Sequence, residues 1–121
     1  MTTRAHRVAV IPGDGIGVEV TAEALKSLRA VSTALTRPIE LVDFDWGAER
    51  WLRDGTTLPA GAMEDLRDHF HAILFGALGD PRVPEQVHAR DILLGLRFQL
   101  DLYINLRPVK LLDEKLTPLK G

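Results

Sequence analysis

Two arginines and their neighbours carry the chemistry this sequence is best equipped to do. In Ile92–Arg97 (ILLGLR), helical geometry puts Leu93 and Leu94 four and three positions before Arg97, so two branched apolar side chains share a face with a permanent cation. Such a face suits a ligand with a greasy end and a carboxylate. The plainer arrangement buries the leucines and lets Arg97 reach along them to solvent. Further on, Tyr103, Asn105 and Arg107 alternate with Ile104 and Leu106, which on a strand gathers phenol, amide and guanidinium on one side. Two guanidiniums brought together repel unless an anion sits between them, and each is a planar fork matched to a carboxylate. Asp91 and Asp101 are local carboxylates that would engage them instead.

A second candidate is the turn Gly13–Gly17 (GDGIG), because glycine turns before a helix offer backbone N–H groups and a positive helix end to an anion. Counting G-x-G-x-x-G from Gly13 puts Val18 where the third glycine belongs, and no G-K-[ST] follows. A tight turn and a phosphate site both remain open on this spacing. His69 and His71 lie two apart with no H-E-x-x-H around them, which favours a surface role over metal binding. Ser27 and Ser32 both fall in a helical pattern and lend no support to a serine nucleophile. Trp46 and Trp51 read as core rather than a stacking platform.

These residues need elements to position them. Arg7–Ile11 (RVAVI) is a β-branched run ended by Pro12, the pattern of a strand buried on both faces. After the glycine turn, Val20, Ala24, Leu25, Leu28 and Val31 recur at helical spacing. Ile39–Phe44 reads as a strand, Trp46–Leu52 as a helical turn closed by Asp54 and Gly55, and Ala60–His69 as a helix. Ala72–Gly76 is a buried strand entering the Gly/Pro loop Ala77–Pro84, followed by a helix over Asp91–Leu100 and a strand over Tyr103–Lys110. Strands separated by helix-length segments require crossovers, so the class is α/β with a mostly parallel sheet flanked by helices. Leu111–Gly121 has neither cap nor period, which predicts a chain stopping within a connection, an incomplete unit.

Composition narrows the partners. The 121 residues are 45% hydrophobic and 26% charged, and 15 basic against 17 acidic side chains leave a net charge of −2. That supports a single globular unit with a core and excludes the positive field a nucleic-acid binder requires. Cysteine is absent, which removes disulfides and thiolate chemistry and fits the cytoplasm. The longest apolar stretch, Ala72–Gly79, is far short of a membrane span.

Four blocks, VAVIPGDGIGVEVTAEALKSL, FDWGAERWLRDGTTLP, AILFGALGDPRVP and LLGLRFQLDLYINLRPVKL, resemble in this order the opening portion of the isocitrate and isopropylmalate dehydrogenase family, from Arg7 to about Leu119. The LR…NLRP pair is the most specific part. The GALGDP loop and the two leucines are most similar to the isopropylmalate branch of high-GC Gram-positive type, whereas isocitrate-specific members place serine and asparagine in that helix. The resemblance implies the fold's N-terminal α/β portion, residues 1–121, and NAD-dependent, Mg2+- or Mn2+-assisted oxidative decarboxylation of 3-isopropylmalate in leucine biosynthesis. It implies that Arg97 and Arg107 hold substrate carboxylates and that Leu93 and Leu94 wall the isopropyl group. Ile11, Gly76, Ala77, Leu78 and Gly79 match the region approaching the nicotinamide end of the cofactor, which this family holds without a Rossmann fingerprint. The third substrate arginine, the proton-handling tyrosine and lysine, the metal aspartates and the adenosine loop fall beyond Gly121 in this comparison. The chain alone is therefore expected not to turn over substrate, and the complete enzyme to be a homodimer. Arg90 stands where many isopropylmalate members carry a glutamate. A D-malate or tartrate dehydrogenase, and a non-catalytic α/β module, are the alternatives.

Overall fold

The computed structural model describes residues 5–35 and 38–118; the end of the resemblance at Leu119 and the last three residues of the Leu111–Gly121 tail lie outside them. Strand β1 (His6–Gly13) is central in a parallel sheet, pairing with β2 (Ile39–Asp43) at Val8↔Leu41 and with β3 (Ala72–Ala77) at Ala9↔Ile73 and Ile11↔Phe75. The order is β2-β1-β3. Val8, Ala9, Val10 and Ile11 are all buried, as a β-branched run covered on both faces requires. Helix α1 (Ile16–Ala34) crosses from β1 to β2; α2 (Ala48–Asp54) and α3 (Ala62–His69) return the chain to β3. The last helix, α4 (Val87–Gln99), completes the other layer. Ala9 and Ile11 pack there with Trp46, Met63, Leu66, Ile92 and Leu96.

The expected α/β class and its crossovers are present. Gly55 closes α2 in the left-handed region (φ 69), and Trp46 is buried with its ring 4.7 Å from Phe44, while Trp51 is half-buried. No helix among the described residues is long and apolar enough to cross a membrane.

Three expectations are corrected. Helix α1 buries Gly17 and Thr21 and half-buries Ala24, Leu25 and Leu28, but leaves Val20 and Val31 59% and 48% exposed. The cause lies at Gly17, where a Cβ would collide with the Pro12 carbonyl and stand 2.6 Å from the Ala77 nitrogen. Backbone-on-backbone docking there sets the helix rotation and puts Val20 roughly 80° from the midpoint of Gly17 and Thr21, while Val31 stands in the last turn of the helix. Helix α4 begins at Val87 rather than Asp91, entered through a 3-10 turn over Pro84–Gln86 that polar residues conceal. Tyr103–Lys110 is not a strand. It leaves α4 through Asp101 (φ 55) and pairs with no described strand, and Ile104, Leu106 and Val109 are 75%, 84% and 93% exposed. Alternation assigns sides to an extended chain but supplies no ladder partner.

The glycine turn is explained by packing. Gly13 and Gly15 have φ 75 and 49, the Gly17 N–H donates to the Asp14 carbonyl at 2.8 Å, and the Asp14 N–H donates to the Ala77 carbonyl at 2.7 Å. The turn's N–H groups are thus directed into the chain itself, which favours the tight-turn reading over the phosphate site. Gly76 faces the same crowding, since a Cβ there would collide with the Pro12 carbonyl and approach Thr21 Oγ1 to 2.7 Å. Gly76→Ala is expected to destabilise the fold by about 3 kcal/mol or more, because rigid backbone must move. Gly61→Ala, at φ 78 with open space around it, should cost only about 1 kcal/mol. Urea midpoints of the two variants test the contrast, and equal losses would refute backbone docking as its cause.

Candidate functional site

Sheet order places the site before any side chain is considered. Helix α1 and the α3–α4 layer flank opposite faces, and the connections leave β1 in opposite directions, so the carboxyl ends of β1 and β3 form the switch point where doubly wound sheets open a ligand crevice. The glycine turn lies at one lip. The loop Gly76–Pro81 lies at the other.

Four of the sequence candidates line this loop. Gly76 and Leu78 are half-buried, Leu78 packing against the core, while Ala77 and Gly79 are exposed. Ile11 differs: the whole residue is buried in the core. The loop is held from several directions. The Gln86 carboxamide brackets Asp80, accepting from its N–H at 2.9 Å and donating to its carbonyl at 2.7 Å. Arg82 pairs with the Asp80 carboxylate at 2.7 Å and also with Glu49 of α2. Glu85 and Gln86 both sit in the left-handed region, φ 51 and 52, a backbone cost of about 1–2 kcal/mol each that the Gln86 bracket offsets.

Helix α4 presents the other candidates. His88, Ile92 and Leu96 form its buried stripe at i, i+4, i+8, which turns Leu93, Leu94 and Arg97 away from the core. Leu93 and Leu94 are each 38% exposed, so they are not the interior residues of the plainer reading. Leu94 and Arg97 border a cavity of about 480 Å³ whose far wall includes Tyr103 and Asn105. Arg107 lies off this cavity, its Nε donating to Asn105 Oδ1 at 3.2 Å. Among the described residues neither arginine pairs with a carboxylate; Asp91 instead meets Arg90, at 3.5 Å. The structure thus joins Leu94, Arg97, Tyr103 and Asn105, and sets Leu93 on the same helix face, but does not bring Arg107 to the cavity.

Sequence reasoning missed the buried centre of the crevice. Asp14 Oδ1 accepts the Ala48 N–H at 2.6 Å, and Oδ2 accepts the Gly79 N–H at 2.9 Å and His88 Nε2 at 2.8 Å. Both side chains are buried, and His88 Nδ1 has no partner. The available signal was a histidine four residues before Ile92, in register with an apolar stripe. His69 and His71 lie at the surface, His69 against Asp65 and His71 accepting from the Arg7 N–H. No group of three or more His, Cys, Asp or Glu able to hold a metal gathers among the described residues, so no step is assigned to a metal here.

The fold is an α/β unit whose parallel sheet, flanked by helices, brings the glycine turn and the Gly76–Pro81 loop together at the carboxyl ends of β1 and β3. A sequence profile described as isocitrate/isopropylmalate dehydrogenase matches residues 7–121, and the chain belongs to that family. It is 49% identical to the 3-isopropylmalate dehydrogenase of Thermobifida fusca over 100% of this chain and 34% of that protein. With that of Corynebacterium urealyticum it shares 54% identity over 95% of this chain and 33% of the relative. The chain spans about a third of the length of these curated relatives. A β-decarboxylating dehydrogenase from Thermococcus kodakarensis, solved in its apo form, superimposes with a TM-score of 0.63 at 35% identity, covering 81% of this chain and 27% of that one.

The loop's acid response is measurable. Hydrogen bonds from the Arg82 side chain, and then its backbone N–H, lower the Asp80 carboxyl from 3.8 to about 2. A carboxyl depressed on folding contributes fully above its unfolded value, and that contribution is lost as pH falls from about 4 towards 2. Exchange of the residue-82 amide, corrected for intrinsic rate, should accelerate across that window in the wild type, and the step should move up towards pH 4 in Arg82→Gln, which keeps the backbone bond to Asp80 and loses the guanidinium. A flat wild-type profile would contradict the assignment.

Proposed function

We propose that this α/β unit supplies the substrate-carboxylate face and the nicotinamide-side loop of an NAD-dependent enzyme that oxidatively decarboxylates 3-isopropylmalate to 4-methyl-2-oxopentanoate in leucine biosynthesis, acting as a cytoplasmic homodimer. The observation that carries this reading is the outer face of α4: two leucines, each 38% exposed, beside an arginine with no carboxylate partner among the described residues. An unpaired guanidinium is a standing site for a carboxylate, and the leucines accept the branched end of the same molecule. Family membership and the names of the relatives agree with this chemistry.

Each group has a distinct task. Arg97 grips a substrate carboxylate bidentately and fixes which face of the hydroxyl-bearing carbon looks towards the loop. Arg107, carried on the extended segment beside Asn105, adds a second guanidinium for another carboxylate. Leu93 and Leu94 desolvate the isopropyl group, at ~0.8 kcal/mol per methylene, so three carbons are worth about 2 kcal/mol against malate. The exposed Ala77 and Gly79 fit the edge of a flat nicotinamide, where an open backbone permits close approach. Bound NAD supplies the hydride acceptor. Mg2+ or Mn2+ would need ligands other than those described.

The test is a chimera in which residues 7–118 replace the matching segment of the Thermobifida fusca relative. It should oxidise 3-isopropylmalate in the presence of NAD and Mn2+. Arg97→Lys, keeping charge but losing the fork, should raise KM for 3-isopropylmalate on the order of tenfold. Leu93→Ser should lower kcat/KM for 3-isopropylmalate about tenfold while changing that for D-malate less than twofold. A folded chimera without turnover would refute the proposed reaction, and equal losses for the two substrates would remove the leucine wall.

A further inference from the structure

The buried pair Asp14–His88 is not among the residues that the proposed reaction uses, yet it joins the parts that do. Its carboxylate accepts from the first turn of α2 (Ala48 N–H, 2.6 Å), from the loop after β3 (Gly79 N–H, 2.9 Å) and from α4 (His88 Nε2, 2.8 Å). An ionised carboxylate can only accept, so the proton between the two side chains belongs to His88 Nε2. Among the described residues Nδ1 meets no partner, so Asp14 is the hydrogen-bond partner of this ring. Of the three donors, His88 is the one contributed by a side chain. It sits on the same helix as Leu93, Leu94 and Arg97, and Arg97 lies about 13 Å further along the axis at 1.5 Å per residue. The histidine therefore ties the helix that carries the substrate groups to the loop proposed to face the cofactor.

We infer that His88 is a positioning residue: through Asp14 it fixes the distance between the α4 substrate face and the Gly76–Pro81 loop. The inference rests on the nicotinamide-side reading of that loop. Its physical reason is that hydride transfer requires the reacting atoms within about 3–3.5 Å, so helix and loop must hold a fixed register. Ala77 is already tied to β1 through its carbonyl and Leu78 packs against the core, but Gly79, beyond them and exposed, meets the buried layer through its N–H bond to Asp14.

The experiment uses the 15N-labelled Thermobifida fusca chimera carrying residues 7–118, as the parent and as His88→Leu, His88→Gln and Ile92→Val, the last perturbing the same buried stripe without touching the pair. Two quantities are read: the exchange rate of the Gly79 amide, and the Kd for NAD+ by titration. His88→Leu should speed Gly79 exchange at least tenfold and weaken NAD+ about tenfold. His88→Gln, which keeps a side-chain N–H for Asp14, should restore both to within threefold of the parent, and Ile92→Val should leave both unchanged. If His88→Leu fails to fold, His88→Met takes its place. The inference is overturned if Gly79 stays protected in His88→Leu, if His88→Gln behaves like the leucine variant, or if Ile92→Val weakens NAD+ equally. A parent chimera that binds no NAD+ refutes the cofactor reading of the loop and with it the link to catalysis, while Gly79 exchange still decides whether the pair holds the loop.

Discussion

An ionised carboxylate can be taken out of water only while hydrogen-bond donors replace its hydration, and at Asp14 those donors come from three separate segments of the chain. The turn after β1, the start of α2, the loop after β3 and the first turn of α4 must all arrive together for the site to be tolerable. This couples pieces that local propensity would leave independent. The glycines make the convergence possible: at Gly17 and Gly76 the main chains approach closely enough to exclude a Cβ, and a Cβ on Gly47 would stand 2.6 Å from Asp14 Oδ1. A motif that in isolation suggests phosphate binding here brings backbone to backbone around a buried anion.

With its inner stripe committed to the core and to Asp14, α4 is left with an outer face whose composition is unusual for solvent. Isolated exposed leucines are ordinary on protein surfaces. Here Leu94 and Arg97, which has no carboxylate partner among the described residues, edge a cavity, with Leu93 on the same helix face. Asp91 meets Arg90 instead, and Asp101, which borders the same cavity as Arg97, forms no ion pair with it among the described residues.

Much of this was legible residue by residue. The RVAVI run gave a strand covered on both sides, the alternation of strands with helix-length segments gave a parallel sheet, and ILLGLR gave the shared face of Leu93, Leu94 and Arg97. What escaped were contacts with no local signature. Asp14 and His88 are 74 positions apart, and nothing within either segment announces the other. The rotation of α1 depends on Gly17 touching Pro12 and Ala77, so counting apolar residues assigned Val20 to the wrong side. Tyr103–Lys110 has the alternation of a strand and lacks a neighbour to pair with.

The sequence by itself determined the element types, their order and the side-chain sets on each helix face, because backbone sterics and periodicity act over a few residues. Only the tertiary structure decided which faces meet the core, and that a histidine donates to a buried aspartate beside the Gly76–Pro81 loop. Those outcomes depend on distances between segments remote along the chain, which are set by close packing and by the need to satisfy a buried charge rather than by any local pattern.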